Sequence, residues 1–138
     1  MTPNASLKQS ANKLIERIRS AFPEDAWVAD KRTTDLGFDP HDTPPQWIEH
    51  FSRRTTDALT GGDNDRATAH LALLSGLLRI ADSTTLECID VYYVEPLMWG
   101  MSAEAKRDAW KLIPKNLQDW YVRMWGQQPF MGKHAPVR

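Results

Sequence analysis

Four histidines, a cysteine and a carboxylate set among aromatic residues are where this sequence could do chemistry. The histidines are His41, His50, His70 and His134, the cysteine is Cys88, and the carboxylate is Glu95 in the run VYYVEPLMWG over 91–100. There is no HExxH helix, no cysteine pair and no spacing that puts three ligands on one element, so neither a metal site nor any other cofactor is expected. Glycine-rich phosphate loops and a GxSxG elbow are missing too. Cys88 has no basic neighbour in sequence to favour its thiolate, and it reads as a small core residue.

His70 differs from the other histidines because it falls inside an apolar helical stripe. A buried imidazole keeps one proton and needs an acceptor for it. Glu95, on the following helix, is the expected acceptor, and Arg79 is a second counter-charge for that carboxylate. Such a pair is either a general acid–base couple or a polar lock that fixes how helices cross. Because a pair alone supplies neither nucleophile nor substrate site, His70, Glu95 and Arg79 are read as a structural lock and no catalytic residue is assigned.

The elements that must position these groups are helical. Leu7, Ala11, Leu14, Ile15, Ile18 and Phe22 predict a helix over 6–22, ended by Pro23. The stretch 24–43 is rich in Asp, Thr, Gly and Pro and reads as a long acidic loop with room for a turn of helix around Trp27. Thr43 caps the next helix, which opens on Pro44 and Pro45, presents Trp47, Ile48, Phe51, Thr55, Ala58 and Leu59 on one face, and stops at the glycines 61 and 62. A further stripe runs through Ala67, His70, Leu71, Leu74, Leu77, Leu78 and Ala81. The helix that begins near Thr84 must end or bend around 92–95, because Pro96 lacks an amide proton and obstructs the preceding turn. Ser102 caps a helix through SAEAKRDAWKL, and a last helix carries Leu117, Trp120, Tyr121 and Met124.

The expected fold is all-α: a single domain over 1–126 with five or six helices, as an antiparallel bundle or a short helical-repeat-like stack, followed by a mobile tail over 127–138 from which Phe130 can dock back. A chain of 138 residues, 41% hydrophobic and 25% charged, has room for one such core. One cysteine, no secretory signal and no apolar run near the roughly 20 residues of a membrane span point to a cytoplasmic, membrane-free protein.

Net charge is −1, but it is unevenly spread: +3 over 1–23, −6 over 24–65, −2 over 66–103 and +4 over 104–138. The acidic block either steers a basic partner or attracts the chain's own basic ends. No nucleic-acid motif accompanies the basic segments. Of six tryptophans, Trp47, Trp99 and Trp120 lie on predicted apolar faces, whereas Trp27 and Trp125 are candidates for interface anchors.

The run GGDNDRATAHLALLSGLLRIADSTTLECIDVYYVEPLMWG over 61–100 resembles a bacterial family of small uncharacterised helical domains. It carries a leucine-rich helix and then a helix that ends in Val94, Glu95, Pro96 and Leu97. Similar families include immunity proteins that neutralise toxins, so the resemblance implies binding rather than catalysis. The expected function is a non-enzymatic protein-binding module, an immunity-type inhibitor of a bacterial toxin, with Trp27, Asp30, Asp35, Asp39, Asp42 and Trp125 as partner-binding residues. The alternatives are a small enzyme using His70 and Glu95, with Asp90 or His50, and a helical adaptor subunit of a larger complex.

Overall fold

The computed structural model describes residues 3–132, with side chains from Leu7 onward. Its elements are α1 (Pro3–Ala21), α2 (Pro23–Asp35), α3 (Pro44–Gly61), α4 (Asn64–Arg79), α5 (Ser83–Cys88) running into a π-helix (Ile89–Val94), α6 (Ala103–Trp110), α7 (Lys115–Trp125) and a 3₁₀ turn (Pro129–Met131). The fold is all-α, as the periodicity predicts, with seven α-helices and no strand among the described residues. Helix α3 is the hub. It packs against α1, α2, α4, α6 and the π-helix, and it buries Trp47, Ile48, Phe51, Ser52, Thr55, Thr56, Ala58 and Leu59. The helices therefore gather around one central helix rather than stacking as repeating pairs.

The segment 24–43 is not one long loop. Pro23 opens α2, in the first turn where its missing amide proton costs nothing, and Glu24 and Asp25 follow where the positive end of the helix favours carboxylates. The buried face of α2 is Ala26, Ala29 and Thr33, at helical spacing but too small to give an apolar signal. Thr33 donates to the carbonyl of Ala29, and the irregular chain shrinks to 36–43. There the Asp39 carbonyl accepts from the backbone of Asp42 and Thr43 and from the Thr43 hydroxyl. Thr43 thus turns its side chain back into the loop instead of capping α3. Asp63, Asp82 and Ser102 do cap α4, α5 and α6.

The predicted bend before Pro96 is a π-helix. The Glu95 amide reaches back five residues to the Asp90 carbonyl at 3.0 Å, which widens the turn that the proline ring would otherwise obstruct. In an α-helix the Tyr93 carbonyl would accept from residue 97, but the Leu97 amide bonds to Val94 instead. Ser52 on α3 fills the gap, donating to the Tyr93 carbonyl at 2.7 Å in the core. The chain then turns through Met98, whose φ of 66° is left-handed for a non-glycine residue. That conformation costs on the order of 1 kcal/mol; the fully buried Met98 side chain and a 2.9 Å bond from its amide to the Thr56 hydroxyl hold it.

The C-terminal stretch does not all leave the domain. Phe130 and Met131 are buried, with Phe130 edge-on to Trp110 and Tyr121, so the domain extends through 132. Residues 133–138, with His134, lie outside the described part. Among the described residues no helix is long and apolar enough to cross a membrane.

Ser52→Ala should leave the Tyr93 carbonyl without a partner and destabilise the fold by about 1–2 kcal/mol. Urea unfolding checks this, and an unchanged midpoint would show that the π-turn does not need the hydroxyl.

Candidate functional site

His70 is fully buried, and its partners are Asp25 and Thr55 rather than Glu95 or Arg79. Nε2 lies 2.8 Å from Asp25 Oδ2 and Nδ1 lies 2.9 Å from Thr55 Oγ1. The same hydroxyl oxygen is 2.9 Å from the Tyr93 hydroxyl. Phe22 and Phe51 pack against the imidazole, with ring centroids 4.6 Å and 4.5 Å away.

Donor and acceptor roles follow from the end of the chain. A carboxylate only accepts, so Nε2–H donates to Asp25. A neutral ring then leaves Nδ1 to accept from Thr55, whose oxygen accepts in turn from Tyr93. Asp25 is fixed from outside as well: Arg54 Nε and Arg66 Nη1 each donate to Oδ1 at 2.9 Å. Arg66 also reaches Glu24 at 3.1 Å and Asp63 at 3.2 Å, joining the starts of α2 and α4.

Burial pushes the His70 pKa below its ordinary 6.5; the bond and charge of Asp25 oppose this, and the positive charges of Arg66 and Arg54 reinforce it. For Asp25 burial acts against ionisation, but the bonds from His70, Arg54 and Arg66 outweigh it and hold the carboxyl below 3.8. The unit is a neutral imidazole on a permanent carboxylate.

Asp25, His70 and Thr55 stand in the order of a carboxylate–imidazole–hydroxyl relay. The arrangement is nonetheless closed to a substrate: Thr55, His70 and Tyr93 are all 0% exposed, and Asp25 is 3% exposed. A hydroxyl that must attack a substrate needs to reach one. Here the geometry fastens α2, α3, α4 and the π-helix together, so the expected lock exists with different members.

Its missed members sat in plain view. Thr55 and Tyr93 are polar groups inside apolar stripes, which is the signal a buried network leaves. Asp25 was hidden because its segment reads as loop. Glu95 instead stands half-exposed where the π-helix ends. Arg79 is exposed at the end of α4 and makes no ion pair among the described residues. Cys88 is fully buried, and burial, helped by Glu87 and Asp82, pushes its thiol up to about 11, consistent with a core residue. Among the described residues no three His, Cys, Asp or Glu groups come together as a metal site.

The acidic block is largely neutralised from within. Asp30 holds Arg19 in a two-pronged pair at 2.6 Å and 2.9 Å and accepts from Trp47 Nε1 at 2.8 Å, so it is a packing residue rather than a free surface acid. Asp35 pairs with Lys31, Asp42 lies 3.8 Å from Lys8, and Asp57 meets Arg32 and Arg53. Asp39 is exposed and accepts the His41 amide. The basic N-terminal helix thus answers part of the acidic block.

Trp27 is 63% exposed on α2 and Trp125 is 38% exposed on α7. Trp99, expected in the core, is 62% exposed, because the left-handed turn at Met98 buries Met98 and directs the next side chain outward. Trp99 packs on Trp125 with ring centroids 5.9 Å apart, and Trp125 Nε1 donates to the Glu95 carbonyl at 3.0 Å. Two hollows flank this indole pair. One is lined by Glu49, Val91, Glu95, Pro96 and both tryptophans; the other includes Leu97, Lys106, Tyr121 and Phe130.

Residues 15–126 match the family described as "Domain of unknown function (DUF7674)". No curated protein and no solved structure matches the chain.

Two predictions separate the lock from the surface. Asp25→Ala should destabilise the fold by about 3 kcal/mol, since it strips a buried imidazole of its acceptor and takes one acceptor from each of two guanidinium groups, whereas Glu95→Gln should change stability by no more than about 0.5 kcal/mol. Equal effects in urea unfolding would contradict the assignment. For pH, the unfolded chain takes up a proton on His70 below 6.5 where the folded chain resists it, so this group's contribution to stability falls as pH drops. His70→Gln should therefore be less stable at pH 7.5 yet lose less stability between pH 7 and 5 than the parent, as read from unfolding midpoints across that window.

Proposed function

We propose that this chain, which belongs to the DUF7674 family, is a non-enzymatic protein-binding module, and most concretely an immunity-type inhibitor that occludes a toxin. The observation that carries the reading is the Trp99–Trp125 pair, two large indoles held at the surface by a strained turn and a backbone hydrogen bond. Exposed, pre-positioned tryptophans are the side chains that most often dominate protein interfaces, because they bury much area with little loss of rotamer freedom. The left-handed backbone at Met98 supports the same reading, since strained residues cluster at sites that bind other molecules.

The contact surface in this reading differs from the one the sequence suggests. The aspartates of 24–43 are mostly occupied by the chain's own cations, which leaves Asp39 and the rim carboxylates to assist encounter with a basic partner. Trp27 stays a candidate anchor by its exposure. The enzyme alternative loses its proposed pair, because His70 and Glu95 do not meet.

Co-expression with the products of neighbouring genes tests the proposal. The expected result is that one product is toxic alone, is tolerated with this chain, and co-purifies with it. Trp99→Ala should keep the fold and weaken that complex by about 2 kcal/mol. If no neighbouring product is toxic and none binds, the immunity reading falls; if a toxic product is neutralised equally well by Trp99→Ala, the indole pair is not the contact.

A further inference from the structure

Resting on the binding-module reading, we infer that the hollow between Trp99, Trp125, Glu49 and Glu95 receives an arginine side chain of the protein partner. Glu49 comes from α3 and Glu95 from the end of the π-helix, and both line the same hollow as the two indoles. Neither carboxylate forms an ion pair among the described residues, although most other acids of 24–65 do.

The two carboxylates feel each other. Burial first, and then the charge of Glu95, raise the Glu49 carboxyl above its ordinary value. A cation placed between them removes that repulsion and gains the attraction of both.

Cations of the chain itself stand close by but are directed elsewhere. Arg53 pairs with Asp57 at 3.4 Å and touches the Trp99 carbonyl at 3.4 Å. Lys106 lies over the Phe130 ring, and Arg123 lies over Trp120. None of these three cations pairs with Glu49 or Glu95.

The indoles choose the kind of cation. A planar guanidinium stacks on an indole face while its edge donates to a carboxylate, which a lysine ammonium does less well. Trp125 is tied to the backbone carbonyl of Glu95, which sets the indole beside the base of that acidic side chain.

The test uses the full chain with a capped tri-arginine peptide as probe and the matching citrulline peptide as control, followed through the indole N–H resonances. The expected result is a saturable shift of the Trp99 and Trp125 signals with the arginine peptide, little with citrulline, and affinity about fivefold lower in the Glu49→Gln, Glu95→Gln double variant. Equal shifts with citrulline, or no loss in the double variant, would overturn the inference.

So would indole shifts that grow with protein concentration alone, which assign the hollow to a second copy. Shifts on deleting residues 133–138, without any peptide, would assign it to the chain's own Lys133 or Arg138 and overturn the inference as well. The two readings fail separately. If the toxin partner is bound and Trp99→Ala weakens it but the double Gln variant does not, the binding module stands and the arginine pocket falls. If the arginine peptide binds as expected and no toxin partner exists, the pocket stands and the immunity role falls.

Discussion

The structure depends on one proton: the Nε2–H of a fully buried imidazole that must be given an acceptor. His70 lies on α4 between two phenylalanine rings, where an unpaired N–H would cost about 1–3 kcal/mol. Asp25 answers it, but a buried carboxylate is itself expensive unless its charge is met, and Arg54 and Arg66 meet it from the surface side. On the other side of the ring, Thr55 and Tyr93 complete the chain of donors. The partners come from α2, α3, α4 and the π-helix, so no one of these elements can shift without breaking the set.

That constraint also seals residues whose types would suit chemistry inside the core. The carboxylate, imidazole and hydroxyl have the distances of a relay, but helix packing closes over them and Tyr93 occupies the hydroxyl's open side. Polar networks of this sort specify one arrangement of an otherwise greasy interior. The exposed aromatic surface lies elsewhere, at the turn after the π-helix, where Pro96 forbids a regular ending, Met98 is buried and Trp99 is exposed; the proposed contact with a partner rests on that turn.

Helix periods, breakers and most caps could be read from the sequence, because they depend on local spacing. The failures share a cause: they depend on what small or polar residues touch across the fold. Helix α2 was invisible because Ala26, Ala29 and Thr33 bury little area, although Pro23 and the two acids after it are a helix start in their own right. Once α2 is taken for loop, Asp25 has no fixed place, and Glu95 becomes the nearest acceptor by default. Trp99 leaves the core because the left-handed turn at Met98, which no local spacing announces, turns it outward. Asp30 looked like a surface acid because nothing local shows Arg19 and Trp47 converging on it. The lock was legible as a need, in His70, and illegible as a solution.

The direct measurement of this account is the nitrogen and proton NMR of the His70 ring as pH is lowered from 8 to 5. A sealed structural lock predicts a single Nε2–H tautomer with a slowly exchanging proton that persists below pH 6.5, the ordinary histidine value. A His70 ring that gains its second proton at the ordinary histidine value of 6.5, or that exchanges freely with solvent, would contradict it and return the imidazole to the groups available for chemistry.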